Sequence, residues 1–320
     1  MKYPLRLQMG AALVALAMLS PAHAQDKVKI GSSVQDSPFY YLPVGAAQDQ
    51  GIFKKHGLDV EWVPSKSGSD LERAFAADAI KIGLSSAGAD IVGITRGVPV
   101  SVIATLVPDD DFTVWAAANG KIKKPEDLKG AKIGVARFGG LEHSYAQLAV
   151  DKLGLNKDVQ YVSTGGINES LAALISGTID AVVLPVSNLV KLELEGKVRE
   201  IVPIKNFLAQ PSVTFTITAR KDFIASNPET VKKVVESILE ANRFIMSEQG
   251  KPWALKKIEE SQNVSEKGAE LIYKTLNFSK DGKLQTAALD NVIKFLIDFK
   301  ILKTDKPLAA PQIMDDRFVK

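Results

Sequence analysis

Ile30-Gly31 opens a loop and a helical stretch that run into Gly57-Leu58-Asp59-Val60, and Ile133-Gly134 opens a second such series that runs into Gly154-Leu155 and then Val159. Further along, AFAADAI at 74–80 and ALISGTID at 173–180 each precede a short apolar run. Ile30 and Ile80 lie 50 residues apart, Ile133 and Ile179 lie 46 apart. The apolar runs Val28 to Ile30, Ile80 to Leu84, Ile133 to Val135 and Ala181 to Leu184 are unbroken and bounded by Gly, Ser or Pro. Such runs are strands buried on both faces. Amphipathic helices are predicted between them, at 142–153 and 167–175. Alternating strands and helices imply open α/β sheets, and two units of equal order and near-equal length imply two lobes of like architecture.

Two further strands are needed to join such lobes. Phe112 to Ala118 supplies a crossing into lobe two, through IKKPEDLKG at 122–130, and Val213 to Thr218 supplies the return. Lobe one is therefore predicted at 25–115 and 213–320, and lobe two at 116–212. The return segment is mostly helical. Its clearest helix is Pro228 to Met246, with an Asn227 cap, Pro228 in the first turn and an apolar stripe from Val231 to Ile245. A second, Thr286 to Asp298, places Leu289, Val292, Ile293 and Leu296 on one side.

The 320 residues begin with Lys2 and Arg6, an uncharged apolar stretch from Met9 to Leu19, and Ala22-His23-Ala24. This is the pattern of a cleavable secretory signal over 1–24, with an apolar core about half of the roughly 20 residues that a membrane span needs. The following Gln25 cannot take a lipid anchor. The expected product is a soluble periplasmic protein with 38 Lys and Arg against 37 Asp and Glu, a net charge of +1. A near-neutral mixed surface argues against nucleic acid as partner. With no cysteine, neither a disulfide framework, a thiolate metal site nor a Cys nucleophile is available. Beyond the signal there are two histidines, His56, at what looks like a solvated helix end, and His143. No metal-ligand spacing, phosphate loop or nucleophile elbow appears. The chain is thus expected to be no enzyme and to need no cofactor or metal.

Four stretches carry a resemblance to a known family: PVGAAQDQGIFKKHGLDV at 43–60, KPEDLKGAKIGV at 124–135, ISGTIDA at 175–181 and DFIASNP at 222–228. In this order the chain resembles the periplasmic solute-binding proteins of nitrate, sulfonate and taurine importers, related to thiamine-pyrimidine binding proteins. The resemblance implies the type II periplasmic-binding-protein fold, with two open sheets joined by two crossing strands and a ligand in the cleft, shut by a hinge motion. It also implies a monomer that serves an ABC transporter permease and its ATPase. A sensor that reports the same ligand to a membrane receptor would look alike.

Ligands of open α/β sheets bind beyond the carboxyl ends of the strands. The loops that qualify are 32–41, 85–88, 137–140 and 185–188. Ser85 and Ser86 offer hydroxyls, Gly139 and Gly140 bare backbone beside a helix start, and Pro185 begins the fourth loop. Phe39 or Tyr40 and, in lobe two, Phe138 are candidates to sandwich an organic group. Arg137 and His143 flank the glycine turn and could meet a negative group. Trp115 on the crossing strand could face the cleft. The ligand is expected to be a small organic anion such as a sulfonate, taurine or an aromatic carboxylate, the alternative being a neutral pyrimidine. The acidic run Asp109-Asp110-Asp111 is expected to be a solvated loop.

Overall fold

A computed structural model describes residues 25–109, 111–136, 138, 141–155, 158–302 and 308–319. The predicted signal segment at 1–24 lies outside the described residues. From the amino end the chain forms β1 (Asp26–Ser32), α1 (Pro38–Asp49), α2 (Ile52–Lys55), β2 (Leu58–Pro64), α3 (Gly68–Ala76), β3 (Ile82–Ser86), α4 (Ala87–Thr95) and β4 (Val100–Val107). It then forms β5 (Phe112–Ala117), β6 (Lys132–Val135), α5 (Leu141–Lys152), β7 (Gln160–Ser163), α6 (Ile167–Ile175), β8 (Ala181–Pro185), α7 (Val186–Leu194) and β9 (Val198–Pro203). The last part is β10 (Phe215–Arg220) with α8 (Lys221–Ser226), α9 (Pro228–Ile245), α10 (Lys251–Gln262), α11 (Glu266–Thr275) and α12 (Thr286–Asp298).

The strands make two sheets, ordered β2-β1-β3-β10-β4 and β7-β6-β8-β5-β9. The orders are the same once β6 to β9 are set against β1 to β4. In each sheet the fourth strand runs antiparallel and comes from a crossing segment, β10 in the first sheet and β5 in the second. The two-sheet α/β architecture is the one predicted. All of β5 pairs within the second sheet, Thr113 opposite Leu184 and Val114 opposite Val202. Phe112 to Trp115, placed with lobe one from sequence, therefore hydrogen-bond within the second sheet, because an unbroken apolar run carries no mark of where the crossing ends.

The doubled sequence block has a packing cause. A Cβ on Gly31 of β1 would lie 2.6 Å from the Ile80 Cδ1 and the Leu71 Cδ1, and a Cβ on Gly134 of β6 would run into the Ile179 Cδ1. In both lobes an isoleucine ahead of the third strand lies across a glycine of the first, so the pair repeats together.

Each sheet is buried on both faces. Lobe one packs Ile30, Leu42, Ile82, Ile103, Ile217, Val235 and Ile238 in one core, and lobe two packs Val114, Ile133, Ala146, Val150 and Val183 in another. The outer edge of β4 is covered by the chain's end: Val102 N–H donates to the Ile313 carbonyl at 2.9 Å and Thr105 N–H to the Gly282 carbonyl at 2.8 Å. An edge covered in this way offers no free ladder to other chains. Asn227 makes no side-chain cap bond, so α9 starts on Pro228 alone.

Two helices tie the lobes together. Val190 of α7, from lobe two, is fully buried in the core of lobe one. On the other side Phe295 and Phe299 of α12, from the return segment, pack against the core of lobe two.

Candidate functional site

The carboxyl ends of β1, β3, β6 and β8 lead into the loops or helix starts expected to meet a ligand. Ser86 ends β3 and caps α4, its hydroxyl accepting the Ala89 N–H at 3.2 Å. Ala87 N–H donates to the Thr214 carbonyl at 2.9 Å, so the return crossing is bonded to the first turn of α4. Pro185 ends β8, is half-buried and precedes α7 directly.

Several candidates belong to the core instead. Phe39 and Tyr40 are buried, their rings each 5.2 Å from the ring of Phe215, and Phe39 also meets Phe278. On α1 they turn inward, because a helix that lies on a buried sheet must give its large apolar side chains to that sheet. Trp115 is fully buried, and its indole N–H donates to the Leu184 carbonyl at 3.1 Å. Its polar atom is thereby satisfied and no face is left for a ligand. The Ser85 hydroxyl is buried and donates to the Asp90 carboxylate, which also accepts from Thr216 and, at 2.7 Å, from Thr218. Arg137, Gly139 and Gly140 lie outside the described residues.

Phe138 is 62% exposed, the largest exposure among the large apolar side chains. Its ring meets His143 at 5.4 Å, and His143 meets Tyr161 at 5.0 Å, both edge to face. Burial lowers the His143 pKa, which favours the neutral imidazole. His143 is therefore a poor cation for a negative ligand. Val34 after β1 and Ile167 at the start of α6 are also exposed, so three of the exposed large apolar residues sit on strand-end loops of the two lobes.

A cavity of about 600 Å³ lies between α4, α5, α12 and the return crossing, with Ser86 in its lining. Its rings are Tyr145, Phe207, Phe295 and Phe299. Tyr145 lies 5.9 Å from Phe295, which lies 4.9 Å from Phe299. Sequence reasoning missed all four. Phe295 and Phe299 are four residues apart at the end of α12, on a flank of the Leu289, Ile293 and Leu296 stripe that faces lobe one. That i, i+4 aromatic pair was the signal available.

Among the described residues two acidic groups, Asp90 and Asp111, are buried. Burial pushes the Asp90 carboxyl up to about 6, opposed by its three hydroxyl donors. Asp111 is likewise pushed up to about 6 by burial, opposed chiefly by the Ser187 amide at the start of α7. Its carbonyl accepts the Val186 N–H at 3.3 Å and its carboxylate the Thr275 hydroxyl at 3.4 Å. The run at 109–111 is thus no solvated loop at either described position, since Asp109 also accepts a hydroxyl hydrogen bond from Ser212. The asymmetric demand of a crossing segment, which must satisfy polar groups from both lobes, draws these carboxylates in. His56 is no solvated end either, its Nε2 lying 3.0 Å from a Glu240 carboxylate oxygen. Among the described residues no cluster of three or more His, Asp or Glu could hold a metal, and no helix is long and apolar enough to cross a membrane.

Residues 38–251 match the family model described as NMT1/THI5 like. The 4-amino-5-hydroxymethyl-2-methylpyrimidine phosphate synthase THI13 of Saccharomyces cerevisiae is 26% identical over 247 residues, 71% of this chain and 69% of its own. Among solved structures, the periplasmic aliphatic sulphonate binding protein SsuA from Escherichia coli has a TM-score of 0.77 at 16% identity, over 91% of this chain and 92% of its own. The periplasmic nitrate-binding protein NrtA from Synechocystis PCC 6803 has a TM-score of 0.66 at 13% identity, over 88% and 83%. The likeness to these structures shows the periplasmic-binding-protein fold expected from sequence. The expectation that the chain is no enzyme is overturned by the synthase relative. Missing sequence motifs exclude little, since a carboxylate or hydroxyl acts by geometry and not by spacing.

Proposed function

The chain belongs to the NMT1/THI5-like family, and from that premise we propose that it is a solute-binding protein, exported, that takes a small organic molecule between its lobes and delivers it to an ABC importer. Lobe one is formed by the segments before β5 and after β9, lobe two by the segment between. The observation that carries this is the matched pair of sheets, β2-β1-β3-β10-β4 and β7-β6-β8-β5-β9, each holding a strand from a crossing segment. Two such bodies joined by two crossings are suited to hinge closure, the usual way in which occupancy is turned into a change of shape. The exposed Val34, Phe138 and Ile167 then have a purpose, since closure over a guest would cover them. The periplasmic binding proteins among the structural neighbours support the same reading.

The test is to recover the compound that copurifies with the protein, identify it by mass spectrometry, and record X-ray scattering with and without it. A radius of gyration that falls on adding the compound is the expected result. No change of shape at saturation would overturn capture by closure.

A further inference from the structure

We propose that the cavity between α5 and α12 takes a neutral, mainly hydrocarbon aromatic molecule bearing a hydrogen-bond donor, not a small anion. This rests on the solute-capture reading and names the ligand class. The walls are Leu141, Tyr145 and Leu148 from α5 and Val292, Phe295 and Phe299 from α12, a surface of rings and branched apolar groups. Its volume of about 600 Å³ falls within the usual range for organic ligands, roughly 300–1,000 Å³.

The polar atoms at the cavity decide the charge. The Ser212 hydroxyl donates to Asp109, the Thr214 hydroxyl donates to the Pro108 carbonyl at 3.3 Å, and Asn291 donates an amide hydrogen to the Pro211 carbonyl at 2.9 Å. The Ser212 and Thr214 hydroxyl hydrogens are thereby spent and their oxygens are left as acceptors, while Asn291 keeps its amide oxygen and a second amide hydrogen, and Ser86, whose oxygen accepts the Ala89 N–H, keeps its hydroxyl hydrogen. Such a set of neutral groups, weighted toward acceptors, suits a hydroxyl or amine better than a full negative charge. The charged rim does not reverse this. Lys294 is paired with Asp298 at 2.7 Å, and Lys152 is exposed beside Asp151, so the rim sums to zero. An ammonium in water contributes little attraction.

The site also joins both lobes. Leu141 and Tyr145 belong to α5, Phe295 and Phe299 to α12, and Val213 and Thr214 to the return crossing, so a ring held there touches every part that closure must move.

The experiment is calorimetry on the purified protein with 2-naphthol, naphthalene-2-sulfonate and taurine. Expected is one-to-one binding of 2-naphthol, about tenfold or more tighter than its sulfonate counterpart, with no binding of taurine. Phe295→Ala should weaken 2-naphthol by about tenfold, Phe295→Leu by less, and Lys152→Ala should leave it unchanged. Circular dichroism and melting of each variant establish that it is folded. A tighter sulfonate, a loss on Lys152→Ala, an unaltered affinity in both Phe295 variants, or no binding of either naphthalene would overturn the proposal. Taurine or a pyrimidine that binds and closes the protein while 2-naphthol does not would sink this ligand class and leave solute capture standing.

Discussion

Where α4 packs onto β3 and β10 in lobe one, the buried group is the Asp90 carboxylate, bonded to Ser85, Thr216 and Thr218. Where α7 packs onto β8 and β5 in lobe two, Leu189 stands at the matching fourth position of the helix. The strand registers match Ser85 with Leu184, Thr216 with Thr113 and Thr218 with Trp115. One lobe fills this interior with a carboxylate and hydroxyls, the other with Leu184, Leu189 and the indole of Trp115. The backbone topology tolerates both. What it does not tolerate is a mixture, because a buried polar group must have its partners present.

The sharpest way to break this comparison is to exchange the two residues. Leu189→Asp should cost about 3–5 kcal/mol in denaturant unfolding, since a carboxylate would be buried among apolar side chains. Asp90→Leu should cost less, about 2–3 kcal/mol, for the three hydroxyls left without their acceptor. If the two substitutions proved equally mild, the two interiors would not differ in kind.

The glycines test the likeness in place of the difference. Gly31→Ala and Gly134→Ala should each cost about 1–3 kcal/mol through overpacking, Gly134→Ala the more because the Ile179 methyl lies nearer. Adding Ile179→Val should restore part of the loss in Gly134→Ala, and strict additivity of the pair would refute the contact.

The effect of pH through Asp90 bears on lobe one alone. The Asp90 pKa is raised in the folded state to about 6 from an ordinary value of 3.8, so the folded protein holds a proton that the unfolded chain has released. Stability is then greatest below about pH 4 as far as this group is concerned, and falls as pH rises through about 6, by up to about 3 kcal/mol. Asp90→Asn should flatten that slope in melting curves between pH 4 and 7. The paired surface carboxylates, such as Asp222 held down by Arg220, act in the opposite direction and at lower pH.

Smallest in stability is Phe138→Ala, within about 0.5 kcal/mol because the ring is exposed. Ligand affinity should nonetheless fall. Unchanged affinity in calorimetry would place the ring outside the site.

Much of this fold could be read from the residues, because buried parallel strands are written as unbroken apolar runs and the glycine-isoleucine pair repeats with them. Helices at 167–175, 228–245 and 286–298 followed from their stripes. The site was less legible. Asp90 lies inside an otherwise apolar helix, and a single charge there reads as an outward turn until Thr216 and Thr218, more than 120 positions away, are brought against it. Trp115, Phe39 and Tyr40 looked like ligand aromatics because a residue's neighbours in sequence do not say which side of a strand or helix will be covered. Phe295 and Phe299 were hidden for the opposite reason, being taken as part of a plain core-facing helix.

Val190 deep in the interior of lobe one gives the molecule a spine. α7 packed on α11 forms one seam between the lobes, and Phe295 and Phe299 on the core of lobe two form the other. In the proposed closure both seams must give way, one around Val190 and the other around Phe299.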